Sequence, residues 1–239
     1  MYYKKIVSST EYFENKKVAL YLAPVILYPI LFNYILLNQS FQYYDFTSIL
    51  IFTAGLYFII KENYTALLIT FMLGLVNKES IVYLIFSYTL FNYKSIFTKK
   101  IVLRTALLCI IFVVYKLILG YIFRSNTGDT FEIGYDVNVH VFKNFFNNRV
   151  YQKDILLNFG GLYIFVLLLF VTGRFRKFPY PKKVYIHLTF IPYILLGVFL
   201  IYFSEVRVYI ELIPMVTTLF MIYLSTFPKL WLKPKESVE

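Results

Sequence analysis

The sequence predicts an all-α fold, a polytopic helical membrane bundle, and three observations carry that reading. Of its 239 residues, 59% are hydrophobic and 21% aromatic while only 15% are charged, a balance that soluble domains rarely show. About eight apolar segments follow one another, in a chain long enough for that many spans of about 20 residues each. The polar junctions between them sort by charge, which is how cytoplasmic and outer loops differ. The chain therefore reads as one integral membrane domain over 1–239, with both termini on the cytoplasmic side.

Met1 to Lys5 opens a polar stretch ending at Lys16-Lys17. Val18–Leu37 follows as a full span without a small-residue cleavage site, and so as the first retained helix. The next segments are Phe46–Ile60, Thr65–Val76, Ile81–Phe91, Ile101–Phe123, Ile155–Gly173, Val184–Phe203 and Val208–Phe227. The third and fourth are short for complete spans. Each reads either as a cavity-lining half-helix shielded by protein or as half of one span broken at Asn77-Lys78-Glu79-Ser80.

Charge decides between these counts. With eight crossings and the N-terminus inside, roughly 16 of the 24 Lys and Arg residues fall in inner junctions and about 6 in outer ones, as the positive-inside rule requires. Arg104 and Lys116 remain inside a span. A single broken span would reverse every later loop and put the basic Arg174–Lys183 turn outside, so the eight-segment arrangement is preferred.

The net charge of +11 does not point to nucleic acid. The basic residues punctuate apolar segments instead of lining one amphipathic face, as in loops that meet anionic lipid. The single cysteine, Cys109, excludes an intramolecular disulfide. His140 and His187 have no ligand at metal-site spacing. Neither a Ser/His/Asp arrangement nor a Gly-rich phosphate loop occurs, and no cofactor or metal site is predicted.

Four features meet the outer face in this topology: Gln42-Tyr43-Tyr44-Asp45, Asn77-Lys78-Glu79-Ser80, the loop 124–154, and Ser204-Glu205-Val206-Arg207. The loop from Arg124 to Asp154 contains a turn at Asn126-Thr127-Gly128-Asp129 and a short interfacial helix over Val137–Phe146. The tail Pro228 to Glu239 is short, polar and cytoplasmic.

Lys78 and Glu79 sit where two short apolar segments meet. A charge near the bilayer centre costs about 3 kcal/mol on insertion scales, so it usually faces a cavity or a partner. One reading is a cation gripping a phosphate beside a carboxylate that takes a proton; the other is a charged turn at the interface. Arg207 and Glu211 are one helical turn apart, so they read either as an internal ion pair or as a site. In the site, Arg207 holds a lipid pyrophosphate while Glu205 and Glu211 orient it or the acceptor. Pro214 then kinks the helix and opens a pocket. Asp45 reads first as a helix N-cap, and Tyr43 and Tyr44 as belt aromatics. Lys116 and Arg104 read as snorkelling side chains.

Tyr44-Asp45-Phe46, Asn77-Lys78-Glu79-Ser80, Glu205-Val206-Arg207-Val208-Tyr209 and Glu211-Leu212-Ile213-Pro214 occur in this order. With Asn138, Gly160-Gly161 and the Arg174–Lys183 turn between them, the chain resembles a group of bacterial multi-pass proteins similar to C-type membrane glycosyltransferases, from about Asp45 to Pro214. The resemblance implies a polyprenyl-phosphate-linked sugar donor and transfer on the outer face of the bacterial cytoplasmic membrane, in cell-envelope polysaccharide or glycolipid assembly. It implies Lys78 and Arg207 as phosphate-binding cations. Glu79, Asp45 and Glu205 become the candidate catalytic carboxylates, and Glu211 and Pro214 structural or orienting residues.

One departure matters. The family carries its catalytic acid in the first outer loop of a longer chain, whereas Asp45 is the only acid between Asn38 and Asp45. The chain accordingly reads as an N-terminally truncated or divergent member. The alternative is a non-catalytic carrier, flippase or accessory subunit for lipid-linked glycans. A small-solute transporter lacks support, since neither paired half-helices nor an internal repeat stands out.

Overall fold

The computed structural model describes residues 27–31, 43–125, 135–156, 161, 168, 171, 212–217 and 220. Helices are the only regular structure among these residues: α1 Leu27–Leu31, α2 Tyr43–Ile60, α3 Tyr64–Asn77, α4 Tyr83–Phe91, α5 Lys99–Ile122, α6 Tyr135–Asn144 and α7 Arg149–Leu156. Short 3-10 turns at Glu79–Val82 and Tyr93–Ser95 lead into and out of α4. The described part is thus all-α, as the sequence predicts.

Apolar composition writes α2 to α5, and the turn chemistry between them sets their order. At the end of α2, the Asn63 N–H donates to Phe58 O at 3.0 Å and the Glu62 N–H to Ile59 O at 2.9 Å. This pair of bonds closes the last carbonyls of a helix when one residue turns left-handed. That residue is Glu62, at φ 56°. Asn63 then caps α3, its Oδ1 accepting the Ala66 N–H at 3.1 Å, a contact worth about 1 kcal/mol. Two antiparallel helices are joined by a three-residue link, 61–63.

The chain reverses again at Lys78. Its extended backbone, φ −162° and ψ 138°, stops α3, and its N–H still donates to Gly74 O at 2.9 Å. Ile81 folds back over Gly74, where a Cβ would collide with the Ile81 side chain and meet Ile51 at 3.0 Å. Leu84 likewise fills the space left by Gly55. These contacts run α3 antiparallel to α2 and α4 parallel to it. The two short apolar segments are therefore arms of a hairpin and not halves of one broken span.

Phe52, Leu56, Leu67, Phe71, Leu84 and Leu108 are fully buried between these helices. Leu212, Ile213, Met215 and Val216 join the same core, so part of the last predicted segment packs against the bundle. Pro214 is buried there, where a 3-10 turn at Leu212 gives way to α-helix over 213–217. In the first turn of a helix the missing proline N–H breaks no ladder bond. The kink expected at Pro214 turns on the residues before Leu212, which lie outside the described residues.

One described helix, Lys99–Ile122, is long and apolar enough to cross a membrane, and only 11% of its apolar stretch is buried. The apolar helices Asp45–Ile60, Tyr64–Asn77 and Glu79–Phe91 are shorter. Most of Val18–Leu37, Ile155–Gly173 and Val208–Phe227 lies outside the described residues, as do Val184–Phe203, the Asn126–Asp129 turn, both termini and the tail Pro228–Glu239.

Candidate functional site

Asp45, Ser48, Asn77, Lys78, Glu79 and Lys116 meet at one end of the α2–α5 unit. Antiparallel packing accounts for this. The first turn of α2, the α3–α4 reversal and the last third of α5 all lie at that end.

Asn77 Nδ2 donates to Ser48 Oγ at 2.7 Å, tying the C-terminus of α3 to α2. One residue on, Lys78 Nζ lies 3.8 Å from Asp45 Oδ1. Asp45 is fully buried, while the Lys78 side chain is 23% exposed. The next residue, Glu79, pairs with Lys116 Nζ on α5. Here the exposure is reversed: Glu79 is 50% exposed and Lys116 13%. Extended backbone at Lys78 sends successive side chains to opposite sides. For that reason Lys78 reaches α2 and Glu79 reaches α5.

The expected N-cap role of Asp45 needs correction. The helix begins at Tyr43, which puts Asp45 inside its first turn. There it favours the positive end of the helix dipole and meets Lys78. Lys116 was legible only as a snorkelling lysine, but it is the counter-charge of Glu79. A lysine this deep in an apolar helix requires a partner, and that was the signal available.

The two carboxylates and two ammonium groups cancel. An incoming phosphate must therefore compete with Asp45 or Glu79 for its lysine. Glu79 is the reachable carboxylate; Asp45 is closed off. The recess lined by Ser48, Asn77, Lys78 and Ser80 has no room for a water-sized sphere. Glu205, Arg207 and Glu211 lie outside the described residues. Among the described residues, no group of three or more His, Cys, Asp and Glu side chains could hold a metal.

The opposite end of the unit has a different character. The Tyr64 hydroxyl donates to Arg104 O at 2.8 Å, and the Arg104 guanidinium lies 4.6 Å from the centre of the Tyr64 ring. Arg104 is thus held by a cation–π contact. Lys61, Lys94, Lys99 and Lys100 are exposed at this end. No family model matches the chain, and no curated protein or solved structure matches it either.

Proposed function

We propose that the chain is a multi-pass protein of the bacterial cytoplasmic membrane that acts on a polyprenyl-phosphate-linked sugar as a C-type-like glycosyltransferase. The observation that carries this reading is the meeting of Lys78, Glu79 and Lys116 at one end of the unit, opposite the exposed lysines at the other. In the proposed topology the first cluster faces outward and the lysine-rich end faces the cytoplasm.

Donor phosphate takes Lys116 from Glu79, with Arg207 as a further cation. Glu79, released from its ion pair, accepts the proton of an acceptor hydroxyl. The acceptor oxygen bonds to the anomeric carbon while the bond from that carbon to the phosphate oxygen breaks. Polyprenyl phosphate leaves with the electron pair. Asp45 holds Lys78 at the site's edge, and Glu205 and Glu211 are proposed to orient donor or acceptor beside Arg207. Sugar transfer from a polyprenyl-phosphate donor in reconstituted vesicles tests this: Glu79→Gln abolishes transfer while leaving donor binding intact. Full activity in that variant contradicts the assignment.

The closed recess beside Lys78 favours a second reading, a carrier, flippase or accessory subunit that binds lipid-linked glycan without a base. Donor binding that depends on Lys116, with every carboxylate dispensable for activity, would select it.

A further inference from the structure

The α6–α7 hairpin carries a cleft of about 390 Å³, remote in sequence from the ion-pair cluster, lined by His140, Asn144, Asn147, Asn148, Arg149 and Tyr151. Its volume is within the range of small-ligand sites, about 300–1,000 Å³.

The hairpin is held by its own backbone. The N–H groups of Asn147 and Asn148 donate to Asn144 O at 3.0 and 2.9 Å. Asn148 Oδ1 accepts the Val150 N–H at 2.9 Å and caps α7. Gln152 Nε2 donates to Phe146 O at 3.0 Å, and the His140 and Tyr151 rings meet edge to face at 6.4 Å. Asn144 Nδ2 donates to His140 O at 2.9 Å. These bonds occupy Asn148 and one end of Asn144. Among the described residues, the Asn147 side-chain amide and the Arg149 guanidinium make no hydrogen bond.

Among the described residues the lining therefore offers amide donors and acceptors, two rings and one cation, and no carboxylate. A planar amide donates and accepts side by side, which suits neighbouring hydroxyls on one sugar ring. A guanidinium fork suits a carboxylate. An aromatic ring beside polar groups suits the apolar face of a sugar.

The geometry points to a saccharide-binding site in the α6–α7 cleft, with an acidic sugar of about disaccharide size as its ligand. Arg149 takes the sugar carboxylate, while Asn147 and Asn144 take ring hydroxyls. The site goes beyond the proposed transfer chemistry and holds equally if the bundle is only a carrier.

The test is calorimetric titration of the detergent-purified full chain with a uronic-acid-containing disaccharide, its neutral counterpart and inorganic phosphate. The acidic disaccharide binds most tightly. Arg149→Gln weakens it about tenfold, the loss of one charged hydrogen-bonding group, and leaves the neutral sugar unchanged. Asn147→Ala weakens both sugars. Both residues are exposed, so melting temperature stays unchanged in either variant. Lys116→Gln leaves both sugar titrations unchanged, which separates this site from the donor-phosphate site. No sugar binding overturns the proposal. So does sugar binding indifferent to both hairpin variants, or Arg149-dependent phosphate binding as tight as the acidic sugar's.

Discussion

Glu79 and Lys116, 37 residues apart in sequence, form an ion pair that ties the α3–α4 reversal to α5. Adjacent Lys78 ties the same reversal to Asp45 on α2. One turn thus ties the α3–α4 pair to both α2 and α5 through two pairs of opposite polarity.

The Glu79–Lys116 pair separates stability from chemistry. Glu79 is half exposed but Lys116 only 13%, so Glu79→Gln takes a counter-charge from a mostly buried lysine. It should cost part of the about 3–5 kcal/mol of a broken buried pair while removing sugar transfer. Exchanging the charges, Glu79→Lys with Lys116→Glu, should retain stability and fail in transfer. Thermal unfolding in detergent beside a transfer assay reads both.

The Asp45–Lys78 pair behaves differently, because Asp45 is fully buried. Removing one partner of a buried pair costs about 3–5 kcal/mol when the remaining charge stays in the interior. Lys78→Met takes a counter-charge from the buried Asp45 carboxylate and should cost that much. Asp45→Asn leaves a lysine with some access to solvent and should cost roughly half. Equal losses in chemical denaturation would show that the pair is not asymmetric.

Gly74 sits where α2, α3 and the returning Ile81 meet. Gly74→Ala should destabilise by about 1–3 kcal/mol, the usual cost of overpacking. Adding Ile81→Ala should recover part of that loss by vacating the contested space. A double variant no more stable than Gly74→Ala would remove the collision as the cause.

Glu62 holds a left-handed conformation that costs an L-residue about 1–2 kcal/mol. Glu62→Gly should raise stability by about 0.5–1 kcal/mol, since glycine is the usual residue at this position of a helix end. The melting temperature in detergent checks the sign.

The four helices of the unit were legible because apolar runs end where Lys61-Glu62-Asn63, Asn77-Lys78 and Asn92-Tyr93-Lys94 begin. α6, at Tyr135–Asn144, was legible from its pattern, with bounds two residues later. The reversal at Lys78 was not decided locally. It depends on Ile81 fitting over Gly74, a contact between segments that periodicity alone cannot rank against one continuous span. Lys116 shows the same limit: its depth in an apolar helix demanded a counter-charge, but nothing in the spacing pointed to Glu79. Arg104 was expected to snorkel; its cation–π contact with Tyr64 is a pairing that the spacing did not show. The grouping of Arg207, Glu205 and Glu211 with Lys78 rests on sequence order, since all three lie outside the described residues.

In the proposed function, Lys116 and Arg207 serve one lipid-phosphate site. Native mass spectrometry of the detergent-purified protein with polyprenyl phosphate, comparing wild type with Lys116→Gln and Arg207→Ala, tests it most directly. Bound lipid is expected in the wild type, with about a tenfold loss of affinity in each variant, as when one charged hydrogen-bonding group is removed. Binding indifferent to both substitutions would reduce Glu79–Lys116 to a structural tie and rule out the shared site.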